Sequence, residues 1–195
     1  MRRFVTFVPI VALAVISSVV DAQSVPPVAE QLTAAVLPLP ANMREGAGVL
    51  GYKTAGKLEQ LRAPKNGMLC LADDPADDRF HVACYADTLE PFMARGRSLR
   101  AAGVTGGRVD TVRFDEAKKG ALKMPTAPAA LYSLTGPRGD FDVATGKTKA
   151  SAGLFVLYMP FATAETTGLS AKPNNGPWIM FPGTPKAHLM LSIGM

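Results

Sequence analysis

The sequence contains few of the residues that usually carry out chemistry. Its 195 residues include two cysteines, two histidines and one tryptophan. The G-x-S-x-G motif of α/β-hydrolases and the H-E-x-x-H motif of zinc proteases are both absent. The formal net charge of +5 is spread along the chain without a basic tract. The chain therefore lacks the usual signatures of a hydrolase or a metalloprotease, and we expect no nucleic-acid partner.

The N-terminus has the pattern of a secretory signal peptide. Arg2 and Arg3 precede an apolar stretch, and Val20 and Ala22 stand where small residues flank a cleavage site. The apolar stretch is shorter than the roughly 20 residues of a membrane span, and no later run is long enough. We predict a signal peptide over residues 1–22, a single mature domain over 23–195, no membrane span after cleavage, and a periplasmic or secreted location.

Helical and strand-like segments follow one another without a βαβ rhythm, which favours an α+β fold of antiparallel strands. The clearest helix is predicted at about 89–102, where apolar residues have helical spacing. Its arginines lie mostly off the apolar stripe, so we expect them on a solvated face. Weaker helices are predicted over 27–36 and 110–122. Strands are predicted at 49–52, 58–62, 68–72, 80–85, 129–134, 154–160, 178–181 and 187–193, with an exposed hairpin connection over 135–151.

The two cysteines, Cys70 and Cys84, allow three interpretations. In an oxidising compartment paired cysteines usually oxidise, and two cysteines allow only one pairing. An antiparallel hairpin with arms of equal length places residue 70 opposite residue 84, at a Cα distance of about 4.5–5.5 Å that suits a disulfide. We predict a structural disulfide. The alternatives are a thiol redox pair and a zinc site that uses His81 and Cys84.

The hairpin would turn through an acidic segment, which contains Asp73, Asp74, Asp77 and Asp78 around Pro75-Ala76. Asp and Pro are ordinary turn residues, and the spacing of the aspartates does not match the familiar calcium loop. We interpret the segment as a solvated turn and predict no metal site there.

The C-terminal segment gathers the only tryptophan, a histidine and two methionines near a proline-rich turn. Such a set can line a small-ligand site, or it can fill the core as a central hairpin. The candidate binding residues are Trp178, Met180, Phe181, His188 and Met190, and His188 is also the candidate catalytic base. No cofactor is predicted, because no c-type haem attachment motif is present.

Two segments of the chain resemble a set of uncharacterised exported bacterial proteins. These proteins share an Asn-Gly-x-x-Cys segment, here residues 66–70, followed by a second cysteine. They also share a closing Gly-Pro-Trp-x-Met-x-Pro-Gly-Thr-Pro-x-Ala-His-x-Met block, here residues 176–190. Met68 stands where that set has an aromatic residue. The resemblance implies export and directs attention to Trp178 and His188, and it brings no activity with it.

These observations lead to one prediction of function and two alternatives. We predict an exported, non-catalytic binding or envelope-associated module, whose partner is a small molecule or an envelope component. The first alternative is a hydrolase with His188 as its general base. The second is a metal or haem carrier that uses histidine and methionine as ligands.

Overall fold

The computed structural model describes residues 24–173 and 176–192, so the predicted signal peptide lies outside the described residues. Among the described residues, no helix has both the length and the apolar character needed to cross a membrane. The α-helices are α1 (Val28–Ala35), α2 (Ala41–Arg44), α3 (Glu90–Ala101), α4 (Arg108–Lys118) and α5 (Ala164–Thr167).

The strands are β1 (Gly48–Thr54), β2 (Lys57–Arg62), β3 (Met68–Leu71), β4 (Arg79–Ala86), β5 (Ala129–Pro137), β6 (Phe141–Asp142), β7 (Lys147–Thr148), β8 (Ala152–Tyr158), β9 (Trp178–Met180) and β10 (His188–Ser192). Eight of them form one sheet in the order β2-β1-β3-β4-β5-β8-β10-β9, and β6 pairs with β7. Every neighbouring pair in the sheet is antiparallel except β1 with β3. The α+β fold of antiparallel strands is therefore confirmed.

The predicted elements correspond closely to those observed. Each predicted strand overlaps one strand of the eight-stranded sheet, and the described ends differ by at most three residues. The helix expected at about 89–102 is α3, which follows a 3-10 turn over Asp87–Leu89. Gly103 ends it with a φ of +82°, a conformation that glycine adopts without steric cost. The polar connection over 135–151 contains the small β6–β7 hairpin.

Helices cover both faces of the sheet, and alternate residues of β4 point to one face or the other. Val82 and Cys84 pack in clusters with residues of α1. Tyr85 follows Cys84 in the strand, and its side chain packs on the opposite face with Phe92 of α3. We call these two sides the α1 face and the α3 face. Each face has its own apolar core, which explains why β4 is buried along most of its length.

The predicted disulfide is confirmed. Cys70 of β3 and Cys84 of β4 are direct register partners, bonded to each other, with Cα atoms 3.9 Å apart. Both residues are fully buried on the α1 face, and the Cys84 Sγ lies 3.1 Å from the carbonyl oxygen of Ala35. The redox alternative would need a reactive, accessible thiol. The zinc alternative would need Cys84 as a thiolate, and its sulfur is part of the disulfide.

Gln31 attaches α1 to the sheet at a point where a strand partner is missing. β3 is short, and its pairing with β1 ends where the N–H of Ala72 donates to the carbonyl of Leu50. Two residues further on, the N–H of Tyr52 donates to Gln31 Oε1 at 2.8 Å, and Gln31 Nε2 donates to the Tyr52 carbonyl at 2.7 Å. Gly51 makes this approach possible, because a Cβ there would lie 2.6 Å from Gln31 Oε1.

Removing the disulfide should destabilise the protein substantially. The C70A/C84A variant is expected to lose about 3 kcal/mol of unfolding free energy, because the bond closes a loop of about 15 residues in the unfolded chain. Urea denaturation followed by circular dichroism measures the change. The control is wild-type protein in the presence of a phosphine reductant, which should lose a similar amount. Equal midpoints for the oxidised and reduced wild type would contradict the prediction.

Candidate functional site

The structure brings the five candidate residues of the C-terminal segment together. β9 and β10 are antiparallel, with Met180 opposite His188 and Trp178 opposite Met190. The ring of Phe181 lies 5.8 Å from the ring of His188. Phe181 has a φ of +55°, which is unfavourable for a residue with a side chain, and it is 39% exposed. The spatial clustering expected of a site is therefore present.

His188 has the surroundings of a packed core histidine. It is only 6% exposed, and its ring lies 5.1 Å from the ring of Tyr158. Burial lowers its pKa, so the ring is neutral near pH 7. Its Nδ1 lies 2.6 Å from the carbonyl oxygen of Lys186, which means that Nδ1 carries the proton and donates it. Within the described ranges, the ring has no hydrogen bond to a hydroxyl or carboxyl group, so no nucleophile–base pair forms on it.

An ion pair network holds this hairpin to α4. Lys186 Nζ lies 2.8 Å from Asp110 Oδ2, and the same carboxylate pairs with Arg113. The Arg113 guanidinium lies over the ring of Phe92, 3.9 Å from its centroid. The C-terminal segment therefore connects the sheet to the helices of the α3 face, which is a structural role.

A cavity lies elsewhere, on the α1 face at the end of the sheet. Its volume is about 420 Å³, and none of the five C-terminal candidates lines it. It is bordered by α1 and the segment just before it, by the loop that joins β3 to β4 with the start of β4, and by the turn from β5 into β6. We call this space the α1 cavity. Its lining residues are Ser24, Pro26, Glu30, Gln31, Ala34, Asp73, Asp74, Pro75, Asp77, Phe80, Arg138, Gly139 and Phe141.

One part of the α1 cavity wall is apolar. Phe80 of β4 and Phe141 of β6 stack with their ring centroids 6.3 Å apart and their planes inclined by only 9°. Phe80 is buried together with Ala34 of α1 in one apolar cluster, and Phe141 packs against that cluster. The wall is thus held by side chains of three different elements, which favours a preformed surface.

The other part of the wall is acidic, and hydrogen bonds fix its shape. Asp73 Oδ1 accepts from the backbone N–H of His81 at 2.7 Å. Asp74 Oδ1 accepts from the N–H of Ala76 at 3.0 Å, and the Asp74 carbonyl accepts from the N–H of Asp77. We call the segment over residues 73–78 the acidic loop. Because these bonds hold the loop to itself and to β4, the loop presents its carboxylates in a defined arrangement.

The environment of Asp73 disfavours its negative charge. Burial is the main cause that raises the pKa of this carboxyl to about 6. The negative charges of Asp77 and Asp74 raise the pKa further, whereas the His81 N–H and the charge of Arg138 lower it. A carboxylate that is half-buried among other carboxylates is typical of a functional site.

A smaller cavity of about 140 Å³ lies next to the acidic loop and is lined by Tyr52, Leu58, Leu71, Ala72, Asp74, Asp77, His81, Ala83 and Arg97. Asp74 and Asp77 therefore border both cavities. Arg97 donates to the hydroxyl of Tyr85 at 3.0 Å and to Glu90 at 2.6 Å.

The sequence predicts a solvated face for the arginines of α3, but Arg95 and Arg97 form ion pairs in the structure. Arg97 is held by the two hydrogen bonds described above. Arg95 binds both carboxylate oxygens of Glu116 on α4. The bond from Arg97 to Tyr85 ties α3 to β4, and the bonds from Arg95 tie it to α4. The bond from Arg97 to Glu90 lies within α3.

The structure also changes the interpretation of the acidic segment as a solvated turn. Asp77 and Asp78 are exposed, but Asp73 and Asp74 are only partly accessible, and three of the four aspartates line the α1 cavity. Sequence spacing gave no signal for this, because the opposite walls come from α1 and β6. Among the described residues, no three His, Cys, Asp or Glu side chains are arranged to hold a metal ion.

Comparisons with known proteins do not assign this chain to a family. No protein-family model, no curated protein and no solved structure matches it. The resemblance to exported bacterial proteins and the division into a signal peptide and one mature domain remain predictions.

The D73N variant should be more stable than the wild type above pH 6. A carboxyl whose pKa is higher in the folded than in the unfolded state favours folding below its unfolded pKa, and this contribution is lost as the pH rises through about 6. After allowance for solvent screening, the gain at pH 7.5 is expected to be about 1 kcal/mol. Urea denaturation at pH 7.5 and pH 4 measures it.

The matched control for this experiment is D115N, which removes the exposed carboxylate of Asp115 on α4. It should follow the pH dependence of the wild type. The expected difference between D73N and wild type is largest at pH 7.5 and small at pH 4. A D73N variant that is less stable than the wild type at pH 7.5 would contradict the prediction.

Proposed function

We propose that this protein is exported and acts as a non-catalytic binding module, which holds a small molecule or a small group of an envelope component in the α1 cavity. The α1 cavity itself carries the proposal. Its volume of about 420 Å³ lies within the range of roughly 300–1,000 Å³ that is usual for small-ligand sites. Its wall combines a stacked aromatic pair, which offers an apolar surface, with polar and charged side chains that can orient a ligand.

Binding agrees with the geometry better than hydrolysis does. The general base of the hydrolase alternative would be His188, which is buried and donates its Nδ1 proton to a backbone carbonyl. It also lies outside the residues that line the α1 cavity. A catalytic base must come within hydrogen-bond reach of the proton that it removes.

Export is supported by two independent features. The N-terminal pattern over residues 1–22 is that of a signal peptide. The Cys70–Cys84 disulfide is a kind of bond that persists in oxidising compartments and is rare in the cytosol.

Export is tested by expressing the full chain in a bacterial host and sequencing the N-terminus of the periplasmic product. We expect the mature chain to begin at Gln23, because Ala22 occupies the last position before the predicted cleavage site. The control is A22R, which places a large charged side chain at that position and should block processing. Full-length protein that is retained in the cytoplasm would contradict export.

Ligand binding is tested by adding a library of aromatic fragments to isotope-labelled protein and following the amide resonances. Bound fragments should shift the resonances of residues that line the α1 cavity, and F141A should weaken binding by about tenfold, since the ring supplies much of the apolar wall. The control is V143A on the same hairpin, which removes an exposed side chain that does not line the cavity. Fragments that shift only resonances remote from the cavity would contradict the proposal.

A further inference from the structure

We infer that the α1 cavity binds an organic cation, with an ammonium or amidinium group at the acidic loop and an apolar or aromatic body against Phe80 and Phe141. The inference rests on the proposed function and adds the chemical class of the ligand. Three properties of the cavity support it: the charge of the lining, the hydrogen-bond acceptors that are still available to a ligand, and the apolar wall.

The charge of the cavity lining is predominantly negative. Four carboxylates border the cavity, and they come from α1 and from the acidic loop: Glu30, Asp73, Asp74 and Asp77. The single cationic side chain in the lining is Arg138. Carboxylates that share a small space repel one another, and a cation placed between them removes that repulsion. An anionic ligand would increase it.

Gln31 and Ser24 are the neutral hydrogen-bonding side chains of the wall, and the amide of Gln31 is already fully used. Gln31 Nε2 donates to the carbonyls of Pro26 and Tyr52, both at 2.7 Å, and its Oε1 accepts from the Tyr52 N–H. One nitrogen of Arg138 donates to the Pro75 carbonyl at 3.1 Å. The amide of Gln31 therefore has no hydrogen left to offer a ligand. The four carboxylates outnumber the other polar side chains of the wall, which are Ser24 and Arg138.

Asp73 supplies an acceptor that is open. Its Oδ1 accepts from the His81 N–H, and its Oδ2 has no hydrogen-bond partner within the part of the chain that the structure describes. A ligand N–H that donates to this oxygen would form a charge-assisted hydrogen bond, which is stronger than a neutral one. The same contact would favour the ionised form of Asp73, which burial and its neighbours disfavour.

A bare metal ion fits these observations less well than an organic cation. Hard cations need several oxygen ligands around one point, and no group of three acidic or histidine side chains in the described residues is arranged in that way. A metal ion would also make no use of the stacked rings of Phe80 and Phe141. An amine with an aromatic body uses both parts of the wall.

The test compares three probes with a common phenyl body and different charge: phenethylamine, 2-phenylethanol and 3-phenylpropionate. Calorimetric titration into protein purified after expression of the full chain gives the affinities, and amide resonance shifts give the location. We expect the amine to bind at least about tenfold more tightly than the alcohol, as one charge-assisted hydrogen bond implies. The propionate should bind most weakly.

Three variants separate charge recognition from loss of fold. D73N should weaken amine binding by about tenfold and leave the affinity for the alcohol unchanged. R138Q should strengthen amine binding a few-fold, because it removes the competing positive charge. D115N removes an equal charge from α4, outside the cavity lining, and should match the wild type. A variant that is merely unfolded would lose the alcohol as well as the amine.

The pH dependence provides a further readout. The groups that border Asp73 in the cavity and whose charge enters this readout are Glu30, Asp74, Asp77 and Arg138. The amine has an ordinary pKa of about 10 and stays charged. Its affinity should therefore fall by about fivefold from pH 7.5 to pH 5, because protons then compete for Asp73 and leave only a small part of it ionised.

Each result has a distinct meaning. Tighter binding of the amine, lost in D73N, supports the inference. Equal or tighter binding of the alcohol or the propionate in the cavity overturns the organic cation and leaves the proposed binding function intact. Calcium that binds in the cavity and displaces the amine overturns the inference in favour of a metal ion. Failure of every probe and every library fragment to reach the cavity overturns both proposals.

Discussion

The backbone of Tyr52 imposes a constraint that shapes one whole side of the molecule. Its N–H and carbonyl are buried beyond the end of the short strand β3, and a buried peptide group without partners is costly. Gln31 supplies both partners. This requirement fixes the position of α1 on the sheet, and Gly51 provides the space for it. The α1 cavity exists because α1 is held here, above the acidic loop and beside the β6–β7 hairpin.

The disulfide stabilises the same region of the molecule. It joins β3 to β4 under α1, close to the loop that connects these two strands. Asp74 bonds within the loop, Asp73 bonds to the backbone of β4, and Arg138 connects the loop to the end of β5. The disulfide, the hydrogen bonds of the loop and Arg138 all restrain the loop. These restraints hold its carboxylates close together, because they oppose the movement that charge repulsion would cause. Preorganisation of this kind reduces the entropy lost when a ligand binds.

The sequence was sufficient for the elements and insufficient for the cavity. Alternation of apolar residues predicted the strands, and hairpin symmetry predicted that Cys70 faces Cys84, because both are local patterns. The cavity depends on Gln31, Asp73 and Phe141, which are far apart in the chain. From the sequence alone, a glutamine in an amphipathic helix is expected at the surface, and nothing in the sequence indicates that Gln31 bonds to the backbone of Tyr52. The C-terminal segment contains rare residues that are typical of ligand sites, but in the structure it packs as a hairpin against α4 and the sheet.

The acidic loop separates two cavities, and Asp74 and Asp77 belong to the walls of both. Ligands bound in the two spaces would therefore share these carboxylates and be thermodynamically linked. A molecule on one side that draws these carboxylates towards itself alters their position and charge on the other side, where Tyr52 and Arg97 lie. Linkage is reciprocal, so an occupant of the small space beside Arg97 would change the affinity of the large one by the same factor. The acidic loop would then couple binding in the α1 cavity to binding in the smaller cavity beside Arg97.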